Sequence, residues 1–67
     1  MKNGQVVDKK VDLDLVGVDG NAFVVMGTFS RAAKKEGWTE EEIGLVLDEA
    51  ESSDYYHLLQ TIIAHTI

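Results

Sequence analysis

The stretch Gly37-Trp38-Thr39-Glu40-Glu41-Glu42-Ile43 constrains this chain more than any other, because it ends one helix and begins the next within three residues. Glycine after a helical run adopts the left-handed backbone that a terminating C′ residue needs. Trp38 is then both C″ of the first helix and N′ of the second, where its ring covers Ala33 and staples onto Ile43. Thr39 serves as N-cap and Glu42 as its capping-box partner three residues on. Glu40 and Glu41 complete an acidic first turn suited to the positive end of a helix dipole.

The helix before this junction runs over about residues 22–36. Gly17-Val18-Asp19-Gly20-Asn21 precedes it as a turn, with Asp or Asn available as N-cap. Phe23, Val24, Val25, Met26 and Phe29 make its first half apolar on nearly every side, which predicts a buried, central helix. Gly27 and Ala32-Ala33 are small enough for close approach by another element. Arg31, Lys34 and Lys35 fall in its last turns, where cations complement the dipole. The second helix spans about residues 40–51 and buries Ile43, Val46, Leu47 and Ala50. Ser53 is its successor's expected N-cap, and the third helix runs over about residues 54–65 with Leu58, Leu59, Ile62 and Ile63 as its stripe. Helices of about 15, 12 and 12 residues with short links suit a three-helix unit.

Upstream, Val11, Leu13 and Leu15 alternate with Asp12 and Asp14, the period of a half-buried strand. Val6 and Val7 extend the pattern toward a short hairpin turning at Asp8-Lys9. The expected fold is therefore mainly α: a single domain over residues 1–67, with residues 1–16 an extended arm, strand or hairpin and residues 21–66 three helices. A lone strand or hairpin is not stable by itself, so it must pack on the helices or pair with another chain. With no cysteine among 67 residues, neither disulfides nor thiolate metal sites staple the fold. No apolar run approaches the roughly 20 residues that span a bilayer. Met1-Lys2-Asn3-Gly4-Gln5 does not read as a signal peptide, and a cytoplasmic location is expected.

Charge is unevenly spread. Net charge is −6, all six basic residues lie at or before Lys35, and the chain from Glu36 onward carries eight acids. Such a half repels nucleic acid and membrane surfaces and attracts basic protein surfaces. The plain alternative is a solubilising surface.

Catalytic and ligand-binding patterns fail on specific residues. His57 and His65 stand eight apart on one helix, roughly 12 Å, too far to share one metal ion. Asp54 and His57, at i and i+3, are the only pair resembling a carboxylate-oriented base, and they equally suit a helix start beside a surface histidine. No serine lies in a nucleophile elbow. Asp12-x-Asp14 followed by Asp19-Gly20-Asn21 departs from a calcium loop at Val16 and Phe23. Gly17-x-x-Gly20 has too few glycines for a phosphate cradle, and Asp19 repels an anion. Neither an enzyme nor a cofactor is expected. Tyr55 and Tyr56, about 100° apart on a helix, cannot both be buried, and together with Trp38 they are the aromatic candidates for interface anchors.

Three blocks together resemble a group of short proteins carried by bacteria, phages and other mobile elements. They are Leu15-Val16-Gly17-x-Asp19-Gly20-Asn21-Ala22-Phe23, Gly37-Trp38-Thr39-x-Glu41-Glu42-Ile43, and Asp54-Tyr55-x-His57-Leu58-Leu59-Gln60-Thr61 with His65-Thr66. The resemblance covers about residues 13–66. It departs at Ser53, where the group has Gly, and at Tyr56, where the group often has Asp. It implies a habitat and a helical fold, and no mechanism. The order of helices around the Gly-Trp corner is also similar to ubiquitin-associated three-helix modules, in arrangement only.

The expected function is a non-enzymatic, protein-binding accessory factor of a mobile element. It would dock on a basic surface of a host defence or nucleic-acid-binding complex, presenting acids as phosphates do. Glu40, Glu41, Asp48 and Glu51 would steer association and Tyr55 or Tyr56 would anchor it. Direct binding to nucleic acid or membrane is not expected. The alternative is a homodimer or larger homo-oligomer pairing through the N-terminal strand. A third reading is a ligand turn made by Asp19 and Asn21 beside His57.

Overall fold

The computed structural model describes residues 5–15 and 17–67. Expectations placed on Met1–Gly4 and on Val16 lie outside the described residues. Three helices follow the arm: α1 (Ala22–Lys35), α2 (Glu40–Ala50) and α3 (Tyr55–Ala64). The Cα radius of gyration, 10.6 Å, agrees with the roughly 10.9 Å of a folded chain this long, so the arm is gathered in with the helices.

The corner between α1 and α2 follows from its residues. Gly37 has φ 91, and the N–H groups of Gly37 and Trp38 donate to Lys34 O and Ala33 O at 3.0 Å each, the paired bonds of a Schellman end. Thr39 Oγ1 accepts from Glu42 N–H at 3.1 Å while Glu42 Oε1 accepts from Thr39 N–H at 2.9 Å, closing the capping box. The Trp38 ring is buried and meets Phe29 edge-on at 5.6 Å.

Caps elsewhere are shifted by one residue or named more narrowly. Asn21, of the two candidates, caps α1 by accepting from Phe23 N–H at 2.9 Å. Asp54, not Ser53, caps α3 by accepting from His57 N–H at 2.9 Å. A carboxylate at that site also meets the positive end of the helix dipole, an advantage serine lacks.

The core is one cluster in which Phe29, Ile62, His65, Val11, Val46 and Thr61 are the largest fully buried side chains. Two expectations about it are corrected. First, α1 buries one stripe, Val25, Met26, Phe29 and Ala33, while Val24 is exposed and Phe23 is 79% exposed. Phe23 and Val24 lie off the arc that the other four share at 100° per residue, so α1 is an amphipathic helix and not a central one. Gly27 likewise faces open space. Second, the inner face of α3 is Leu58, Thr61 and Ile62, with Ile63 exposed. Thr61 is tolerated inside because its hydroxyl donates to His57 O at 2.8 Å.

The arm forms no strand among the described residues. It makes a single parallel bridge between Val11 and Thr66. Val11 N–H donates to His65 O at 2.8 Å, and Ile67 N–H donates to Val11 O at 2.9 Å. The alternation at Val11, Leu13 and Leu15 therefore marks an extended segment pressed on helices, without a hairpin. Val7 and Val11 are buried in the core. Gly17, at φ 86, then turns the chain toward α1, with Val18 N–H on Leu15 O at 3.2 Å.

His65 holds this arm. Its Nε2 accepts the N–H groups of Val6 at 3.0 Å and Val7 at 3.2 Å, and its Nδ1 lies 2.8 Å from Thr61 O. A carbonyl only accepts, so Nδ1 carries the proton and Nε2 is bare: the ring is neutral. The ring meets Phe29 and Trp38 in T-shaped contacts, with centroids at 6.4 and 6.3 Å.

His65→Phe keeps an aromatic ring but leaves the buried Val7 N–H and the part-buried Val6 N–H without an acceptor. The expected loss is about 2 kcal/mol or more, with hydrogen-exchange protection lost first at Val6 and Val7; unchanged protection there would contradict the clamp. Gly37→Ala forces a Cβ into the left-handed region and should cost about 1 kcal/mol, read as a lower urea midpoint.

Candidate functional site

At 100° per residue Glu40, Glu41, Asp48 and Glu51 fall on one face of α2, with Gly44 between them, opposite Ile43, Val46 and Ala50. All four acids are exposed, and no hydrogen bond or ion pair engages their side chains among the described residues. The other acids of the chain's second half are occupied. Glu36 Oε2 accepts from Asp12 N–H at 2.8 Å and Asp54 caps α3. Glu42 pairs with Lys9 Nζ at 2.8 Å, and Glu49 meets His57. The acidic half therefore divides into four acids that hold the fold and four that face water.

Glu42 is the acid most altered by its surroundings. The hydrogen bond from Lys9, followed by that from the Thr39 backbone, holds its carboxyl below the ordinary carboxylate value.

His57 is not paired with the Asp54 carboxylate, which is taken up by the backbone N–H of His57 itself. The ring reaches the end of α2 instead: Nε2 lies 2.8 Å from Glu49 Oε2, 3.0 Å from Glu49 O and 3.3 Å from Ser52 Oγ. Serine, histidine and glutamate together invite comparison with a nucleophile relay. In a relay the acid and the hydroxyl occupy opposite ring nitrogens. Here both meet Nε2, and the Ser52 hydroxyl donates to Glu49 O at 2.6 Å. The cluster has the geometry of a tie between α2 and α3. Among the described residues no three His, Asp or Glu side chains gather to hold a metal ion.

The turn before α1 is likewise spent locally. Asp19 Oδ1 accepts from Asn21 N–H at 2.9 Å, and Asn21 Oδ1 caps α1. Among the described hydrogen bonds none joins Asp19 or Asn21 to His57. The turn's neighbour is Tyr55, whose hydroxyl donates to Gly20 O. Tyr55 keeps nearly half its surface in solvent and Tyr56 is 70% exposed.

A groove of about 290 Å³ opens between the start of α1 and the link from α2 to α3. Met26, Ala50 and Leu58 line it, with Phe23 and Tyr55 at its sides and Glu51 and Asp54 at its edge. Sequence reading named Glu51 and Tyr55 but missed Phe23. The signal was present, because Phe23 lies off the arc of the buried α1 residues. None of the described helices is long and apolar enough to cross a membrane. Comparison with protein-family models, with characterised proteins and with solved structures gave no match.

The Glu42 shift carries a sign. A carboxyl whose native value is depressed contributes stability above its unfolded value, and that contribution is lost as pH falls through the native value. The stability difference between the natural chain and Glu42→Gln should therefore be largest near neutrality and shrink on acidification. Urea midpoints of both at neutral pH and well below the carboxylate range read this; a difference that grows in acid would reverse the assignment.

Proposed function

We propose that this chain is a non-enzymatic, protein-binding factor acting in the cytoplasm, and that α2 is its steering face. The observation that carries the reading is the division of acids. Glu40, Glu41, Asp48 and Glu51 share one solvent face and make no side-chain hydrogen bond or ion pair among the described residues; Glu40 and Glu41 add only a first-turn dipole contribution to α2. No Lys or Arg follows Lys35 to offset them. Unpaired acids on one face raise the rate of encounter with a basic surface while adding little to stability. Tyr55 and Tyr56, exposed beside the end of that helix, supply apolar area of the kind that anchors an interface. The partner is a basic protein surface, and a surface that binds nucleic acid has the required chemistry, with carboxylates meeting it where phosphates would. The likeness of three sequence blocks to mobile-element proteins supports a host or defence protein in that role. Nucleic acid itself is repelled by the same face.

Pairing of two copies through the arm is the weaker reading, because Val11 N–H and C=O are already bonded within the chain. Immobilised protein should retain a basic partner from host lysate, with retention falling as salt rises. Joint Glu40→Lys, Glu41→Lys, Asp48→Lys and Glu51→Lys substitution should lower retention by about tenfold or more while leaving the helical circular dichroism intact. Retention insensitive to both salt and charge reversal would sink the proposal.

A further inference from the structure

We infer that the groove between the start of α1 and the α2–α3 link seats a bulky apolar side chain of a partner peptide, with a neighbouring Arg or Lys held at its acidic edge. This rests on the protein-binding reading and gives it a specific site. At about 290 Å³ the groove sits at the small end of ligand clefts, suited to one side chain rather than a whole helix. Its floor is apolar, made by Met26, Ala50 and Leu58. Phe23 beside it is 79% exposed, an unusual cost for a phenylalanine that contributes little to this chain's own core.

Charge selects the occupant. Glu51 has no partner among the described residues, and Asp54 uses only Oδ1 in capping α3. The groove also meets the carbonyl end of α2, where cations are favoured and no basic residue stands in the last turn; the amino ends of α1 and α3, which line it too, are capped by Asn21 and Asp54. Arg31, the nearest cation along α1, lies eight residues from Phe23, about 12 Å, beyond a screening length of about 8 Å. An arginine brought by a partner would meet a carboxylate, a helix C-terminus and the faces of Phe23 and Tyr55 together. A second copy of this chain would bring its own acids to the same edge.

The test is titration of the intact protein with an acetylated, amidated arginine–tryptophan–arginine tripeptide, followed by NMR. The expected result is saturable shifts at Met26, Ala50 and Leu58. A glutamate–tryptophan–glutamate peptide and an arginine–glycine–arginine peptide should produce none of these. Phe23→Ser and Glu51→Lys, both at exposed positions, should each weaken the tripeptide about fivefold or more. Shifts absent from the groove, or unchanged by both variants, overturn the inference. So do the same shifts on concentrating the protein alone, which would identify a second copy as the occupant. Salt-sensitive capture that survives Phe23→Ser but fails on reversing Glu40, Glu41 and Asp48 overturns the groove while leaving the acidic-face reading standing.

Discussion

One imidazole joins the two ends of this molecule. His65 receives two backbone N–H groups of the arm on Nε2, offers its Nδ1 proton to the last turn of α3, and accepts a third arm N–H on its own carbonyl. The ring's bonds to Val7 and Thr61 are buried, so a lost partner there would strand a polar group away from water at about 1–3 kcal/mol. A chain this small has total stability of only a few such units. The ring also fills space between Phe29 and Trp38, and thereby couples the arm to the α1–α2 corner. Without it Val6 and Val7 lose their backbone anchor on α3, and the arm keeps only the bonds of Val11 to the His65 carbonyl and the Ile67 N–H at that end.

That clamp explains how an isolated extended segment survives in a single chain. Its polar groups are matched in cis by the end of α3, by Glu36 and by the Lys9–Glu42 pair. The acids used in this way belong to the chain's second half, so much of its negative charge is structural. What remains for a partner is confined to the solvent face of α2 and the edge of the groove. The two regions share Glu51, which stands at the end of α2 where the helix dipole and the acidic side chains reinforce each other.

His57 carries a related lesson about residue types. Its nearest carboxylate in sequence, Asp54, caps the helix and leaves the ring free to reach back to Glu49. The hydroxyl, acid and imidazole that result lie close enough for chemistry, but they converge on one nitrogen. Proximity of suitable groups is therefore not a mechanism here. That convergence makes the ring a tie between two helices.

Local chemistry was legible from the sequence because its partners lie within five residues of one another. The Schellman end at Gly37, the Thr39–Glu42 capping box, three helices near their expected bounds and the exposed tyrosines all belong to this class. The exposed acids of α2 were legible for the same reason, through helical spacing. Tertiary structure decided the rest. His65 meets Val6 across 59 residues, and no pattern within a helix predicts that contact. The alternation at Val11, Leu13 and Leu15 signals burial on one side, and only the path of α3 made it an arm rather than a hairpin. Composition alone called α1 central; the arc shared by Val25, Met26, Phe29 and Ala33 left Phe23 in water. Sequence by itself determined where the helices begin and end, since caps act through adjacent backbone. Packing determined what each face meets, since that depends on contacts the chain makes only once it has closed on itself.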